Sequence, residues 1–253
     1  MQKESREEDK LVLHYYDVVI RQSDLDTLAP GQWLNDTMIE FHMEFLERTF
    51  VPKDANYLFL RPGIVHLITF AEGDVMQLAS ALPPQMDQYE AIFIPINDGK
   101  PQEAYSGTHW SIMVYIRAAN SFFYYDTLKF NNLRDGELSS RRIQPLLKLD
   151  KPAQFIPSST PQQINGSDCG VSVISIIDYT LHQLLKIRGK EKEIQYNKIM
   201  ILKSKDLSKP QQVRDNINGM IKRLQQRSKT SCSASSSTSS SSLTSSHINK
   251  TPT

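Results

Sequence analysis

The sequence predicts an α+β fold, and three observations carry that expectation. Apolar residues recur at helical spacing near both ends of the folded region. Between them lies a block of β-branched and aromatic runs. Within that block one polar connection, RAAN, has the length that hairpins use. Helices gathered in sequence around a central group of strands point to α+β rather than to alternating βα units.

The elements follow in order. DTMIEFHMEFLERTF (Asp36 to Phe50) sets Met38, Ile39, Met43, Phe45 and Leu46 on one helical face, with Asn35 or Asp36 as N-cap. YEAIFIPIND (Tyr89 to Asp98) ends in turn residues and predicts a buried strand. HWSIMVYI (His109 to Ile116) and SFFYYD (Ser121 to Asp126) flank RAAN as antiparallel neighbours. After Gly170, VSVISIIDYTLHQLLKI begins β-branched, but its length and later leucine spacing predict a helix. Pro210 suits a first helical turn, and Val213, Ile217, Ile221 and Leu224 repeat at three or four, which predicts a terminal amphipathic helix.

The 253 residues suffice for one sizeable core. Residues 11–227 are expected to form a single domain behind a flexible N-terminus, residues 1–10. Residues 228–253, nearly all small and polar, read as a disordered serine-rich tail. With 29 basic and 28 acidic side chains, the charge argues for neither nucleic acid nor an anionic membrane as partner. No apolar run approaches the roughly 20 residues of a membrane span, and the charged start MQKESREEDK is no secretory signal. Two cysteines, one of them Cys232 in the tail, build no disulfide framework, which predicts a reducing cytoplasmic or nuclear home. The Cys and His spacing matches no metal site, so no cofactor is expected.

Cys169, in NGSDCG (residues 165–170), is the residue with chemistry to offer. Ser167 and Asp168 can cap the helix that follows, placing Cys169 in its first turn, where free N–H groups and the helix dipole favour a thiolate. The anion of Asp168 opposes that effect. A thiol nucleophile needs a base, and the base needs an orienting group. His109 opens one strand of the hairpin and Asp126 closes the other, and a turn at residues 117–118 would set them directly across from each other. Gln162 and Gln163 both lie close enough before the cysteine to supply a side-chain donor to an oxyanion. Trp33 and Trp110 are the only tryptophans; Trp110 follows the candidate base, which suggests an aromatic slot admitting an unbranched tail. NDGKPQEAYSG (Asn97 to Gly107) runs into His109 and is expected to be a mobile loop that closes over a bound tail.

The ordered set WLND, GTHW, YYD and QxNGSDCG resembles the cysteine proteases that process ubiquitin-like modifiers, the sentrin-specific or ubiquitin-like-protein-specific protease family. The likeness runs from about Tyr15 to Arg227. RQSDLDTLAPGQWLND, PINDGKPQEAYSGTHWSIMVYI and NSFFYYD are most similar to its deneddylase branch, whereas NGSDCG is closer to SUMO-directed members. The resemblance implies a papain-like fold with a central mixed sheet flanked by helices. It implies Cys169 as nucleophile, His109 as general base and acid, Asp126 as its orienter and Gln163 as oxyanion donor. Trp33 and Trp110 become the walls of a tunnel around a Gly-Gly tail, with Asp36 binding near that tail. The partner is then a ubiquitin-like modifier, of the neddylation type or else SUMO, cleaved from precursors and lysine conjugates by a monomer without cofactor. An inactive binder of ubiquitin-like tails is the alternative from another class, and such a chain should lack one of His109, Asp126 and Cys169, all of which are present.

Overall fold

The computed structural model describes residues 9–100, 107–190 and 194–236, with side chains to 228. A five-stranded mixed sheet forms its centre, in the order β3 (Tyr57–Phe59), β4 (Ala91–Asn97), β5 (Trp110–Ile116), β6 (Ser121–Tyr125), β7 (Gln154–Pro157). Strand β4 pairs antiparallel with β5, which pairs antiparallel with β6. The outer strands β3 and β7 run parallel to their neighbours. A separate hairpin, β1 (Leu11–Tyr15) with β2 (Val18–Arg21), precedes them.

Both sheet faces are covered, so the three central strands are apolar almost throughout rather than alternating. Phe93, Ile112, Val114, Phe123 and Tyr125 point toward one layer. That layer holds the β1–β2 hairpin with α2 (Asp36–Thr49), α5 (Cys169–Ile187) and α7 (Pro210–Ser236). Ile92, Ile94, Met113, Tyr115, Phe122 and Tyr124 face a second layer that includes α3 (Pro62–Phe70) and α4 (Leu133–Ile143). Two short helices, α1 (Gln22–Asp26) and α6 (Tyr196–Ile199), complete the fold. The expected α+β architecture is thus present. No helix among the described residues is long and apolar enough to cross a membrane.

Proline in an inner strand is ordinarily costly because it removes a ladder donor. Phe93 turns its carbonyl toward the β3 side, where it accepts from the N–H of Leu60 at 3.0 Å. Two residues on, Pro95 would point its missing N–H to the same side, past the end of β3 at Phe59. No bond is lost there, and the chain can leave β3 for α3.

Asn35, not Asp36, caps α2: its side chain accepts from the N–H of Met38 at 3.2 Å. The buried face of α2 is wider than the apolar spacing indicates and includes His42 and Glu44. His42 bonds Asp178 at 2.6 Å, and Glu44 is held by Arg48 and Arg61. Phe45 is only half-buried. The terminal helix buries Val213, Ile217 and Ile221 as its spacing predicts, and it extends to Ser236. Residues 1–8 and 237–253, which hold most of the expected flexible ends, lie outside the described residues, as do 101–106 of the expected closing loop.

Candidate active site

The site assembles at one end of the sheet, where β5 begins and β6 ends. The β5–β6 register runs from Ile116 opposite Ser121 to Ile112 opposite Tyr125, two residues out of the pairing expected from a two-residue turn. The cause is the connection itself. Arg117–Ala119 form a single 3₁₀ turn and Asn120 takes a left-handed conformation (φ 44°, ψ 48°), so all four residues of RAAN belong to the loop. His109 and Asp126 are therefore not directly opposed. A displacement of two residues keeps both side chains on the same face of the sheet, and they still meet, with Nε2 of His109 2.7 Å from Oδ1 of Asp126.

Asp126 is saturated with donors. Its Oδ1 also accepts from the N–H of Leu128 at 2.8 Å, and its Oδ2 from the N–H of Asn132 at 2.9 Å and the hydroxyl of Tyr124 at 3.0 Å. Burial works against the carboxylate charge, but the bonds from His109, Asn132 and Leu128 outweigh it and hold Asp126 below the usual carboxylate range. For His109 burial likewise opposes the charge. Hydrogen bonding to Asp126 and to Cys169 overcomes that penalty and raises the ring to about 9. The imidazolium is thus the dominant form at neutral pH. With Nε2 committed to Asp126, Nδ1 is the nitrogen left to exchange a proton with the thiol.

The backbone of His109 is pinned as firmly as its ring. Its N–H donates to Oδ1 of Asp98 at 2.9 Å, and its carbonyl accepts from the side-chain amides of Asn132 at 3.0 Å and Asn97 at 3.2 Å. Asn97 also explains Gly107: a Cβ there would lie 1.9 Å from Oδ1 of Asn97. Sequence reasoning missed Asn97, Asp98 and Asn132. The turn signal of IND after an apolar run marks two of them, but nothing local links them to His109.

Cys169 is the first residue of α5 and is only 2 % exposed. Asp168 occupies the N-cap position without capping through its side chain, contrary to expectation. Its Oδ1 meets Arg214 at 3.0 Å and its Oδ2 accepts from the side-chain amide of Asn165 at 2.8 Å, which draws the carboxylate away from the helix N–H groups. Directly after the thiol, Gly170 allows close packing: a Cβ would come within 2.9 Å of Cβ of Leu34 and 3.4 Å of Cδ1 of Trp110. The indole N–H of Trp110 donates to the carbonyl of Leu34 at 3.1 Å. WLND, GTHW and the cysteine loop therefore meet at one point. Trp33 is 51 % exposed, and Asp36, also exposed, accepts from the N–H of Thr37 in the first turn of α2 at 3.0 Å.

The two glutamines separate by their bonds. The side-chain amide of Gln162 donates to the carbonyls of Asp126 (3.1 Å) and Thr160 (2.9 Å), and its Oε1 accepts from the N–H of Lys129 (2.6 Å), so both its N–H donors are spent. Gln163 accepts from the hydroxyl of Thr127 at 2.7 Å and donates to the carbonyl of Asn165 at 2.6 Å. One donor of its two remains for another acceptor.

A thiol at a helix N-terminus, an imidazolium beside it, a carboxylate behind that ring and a spare amide donor define a cysteine hydrolase site. Comparison with known proteins identifies the family. Residues 32–209 match the Ulp1 protease family, C-terminal catalytic domain. The chain is 33% identical over 210 residues to a probable sentrin-specific protease 8 of Dictyostelium discoideum, covering 76% of this chain and 86% of that one. It is 34% identical over 183 residues to NEDD8-specific protease 2 of Schizosaccharomyces pombe, covering 70% and 43%. Among solved structures, the C-terminal Ulp1 protease domain in complex with the yeast ortholog of SUMO superimposes with a TM-score of 0.61 at 21% identity, over 87% of this chain and 90% of that one. The chain belongs to the Ulp1 protease family and is a thiol protease of that family.

Proposed function

We propose that this protease is a deneddylase, cleaving after the C-terminal Gly-Gly of the neddylation modifier in precursors and in lysine conjugates. The observation that carries the chemistry is the placement of Cys169 at the N-terminus of α5, coupled through His109 to Asp126. The choice of modifier draws on the relatives: one is named NEDD8-specific and another sentrin-specific protease 8. The SUMO-bound structure, at 21% identity, speaks to the fold alone.

The thiolate of Cys169 attacks the carbonyl carbon of the terminal glycine and forms a C–S bond. Negative charge moves to the carbonyl oxygen, where the N–H of Cys169 and the spare amide donor of Gln163 stabilise it. The C–N bond then breaks as His109 gives its proton to the leaving amine, leaving a thioester. His109, now neutral, takes a proton from water, the hydroxide adds to the thioester, and the C–S bond breaks to return the thiolate and free the glycine carboxyl group. Cys169 is only 2 % exposed, which favours a slim, unbranched tail over a bulky chain. On this reading a tail of two glycines lies between Trp33 and Trp110, with Asp36 binding near that tail.

Hydrolysis of C-terminal fluorogenic amides of the neddylation modifier, SUMO and ubiquitin tests the reading. A kcat/KM at least tenfold higher for the neddylation modifier than for either rival supports it. A preference for SUMO would keep the mechanism and overturn the branch.

A further inference from the structure

On the reading that Cys169 is the nucleophile, we infer that Arg214, in the C-terminal helix, is a positioning residue of the thiol site: it neutralises Asp168 and ties the Trp33 loop to the Cys169 loop. Arg214 is only 2 % exposed. Its Nη1 donates to the carbonyls of Thr27 at 2.9 Å and Ala29 at 3.2 Å. Its Nη2 reaches the carbonyl of Gln32 at 2.8 Å, Oδ1 of Asp168 at 3.0 Å and the carbonyl of Ser167 at 3.5 Å. Three of these acceptors lie in the segment that leads into Trp33. The other two belong to the residues just before Cys169. A planar guanidinium can bond in several directions within one plane, whereas a lysine ammonium at the same place could not span both loops.

The charge matters as much as the geometry. The charged groups around Cys169 are His109 at the start of β5, Asp126 behind that ring, Asp168 in its own loop and Arg214 from α7. An unneutralised Asp168 carboxylate would disfavour a thiolate on the next residue. The ion pair with Arg214, which is closed to solvent on the arginine side, removes that opposition. A buried cation needs acceptors of its own, and the carbonyls of Thr27, Ala29 and Gln32 provide them. The same contacts that make the charge tolerable fix one wall of the slot against the nucleophile.

Two assays separate these roles. The first is the pH dependence of Cys169 alkylation by iodoacetamide, which needs neither modifier nor slot. Arg214→Gln is expected to move the midpoint up by about one pH unit, and adding Asp168→Asn to return it to the native value. Asp168→Asn alone should move it down, and that arm decides the charge role if Arg214→Gln does not fold by circular dichroism. A midpoint unmoved in folded Asp168→Asn, or moved in Arg214→Gln but not returned in the double variant, overturns the neutralising role. The second assay is the rate of labelling by a neddylation-modifier electrophile. The double variant should remain at least tenfold slower than native here, because the carbonyl contacts are still missing; equal rates overturn the tying role. If no chain, native included, reacts with the modifier probe, the deneddylase reading has failed, while the iodoacetamide profiles still judge the Arg214–Asp168 pair.

Discussion

His109 and Asp126 lie two residues out of register across β5 and β6, yet share a 2.7 Å hydrogen bond. The slip is harmless because strand side chains repeat every second residue; a slip of one would have placed them on opposite faces. Asp126 then orients the ring and favours its charged form. Asp126→Asn is expected to lower kcat/KM by about 10²- to 10⁴-fold, with a circular dichroism spectrum like that of the native chain.

The same pair makes stability depend on pH. His109 is raised from 6.5 to about 9 on folding, so its contribution is complete below about 6.5 and disappears as pH rises through about 9. Asp126 is lowered from 3.8, so its contribution is present above that value and is lost as pH falls below it. Thermal melts between about pH 6 and 10 should show the native midpoint falling across this window. Asp126→Asn should show a flatter profile, and parallel profiles would contradict the coupling.

The glutamines are expected to fail differently. Gln163→Ala removes the spare donor and should lower kcat by about 10²-fold with little change in KM. Gln162→Ala removes bonds to the carbonyl of Asp126 and the N–H of Lys129. Its main effect should be a lower melting temperature, and steady-state kinetics with melts on both variants checks the contrast.

Gly170→Ala places a methyl 2.9 Å from Cβ of Leu34 and 3.4 Å from Cδ1 of Trp110. Overpacking of this kind costs about 1–3 kcal/mol. If Trp110 walls the proposed slot, a rise in KM should accompany the loss. Chemical denaturation together with kinetics would show both.

Much of this was legible in the sequence. The helices at Asp36 and after Cys169, the buried strand β4, the hairpin strands and the terminal helix each follow from periodicity or composition. The β1–β2 hairpin was missed despite its β-branched runs, and several other unread elements carry weak local signals. β3 has three residues, β7 ends in proline, and α3 is apolar on nearly every side. In α4, Gly136 argues against a helix until the ring of Tyr124 is seen 2.6 Å from where its Cβ would be. Of the site, Cys169, His109 and Asp126 were legible as candidates from type and order, and the family resemblance implied their roles. Arg214 was not, because a charged residue beside an apolar stripe ordinarily marks the solvent side of a helix. Only the tertiary fold shows that its side chain ends between two loops.

On the proposed function, Cys169, activated by His109, is the nucleophile for a modifier tail. Intact-mass and peptide mapping after treatment with a neddylation-modifier electrophile tests it most directly, using native, Cys169→Ala and His109→Ala chains. One adduct at Cys169 in the native chain, none in Cys169→Ala and labelling slowed at least a hundredfold in His109→Ala is the expected result. An adduct that survives in Cys169→Ala, or that maps to Cys232, would contradict it.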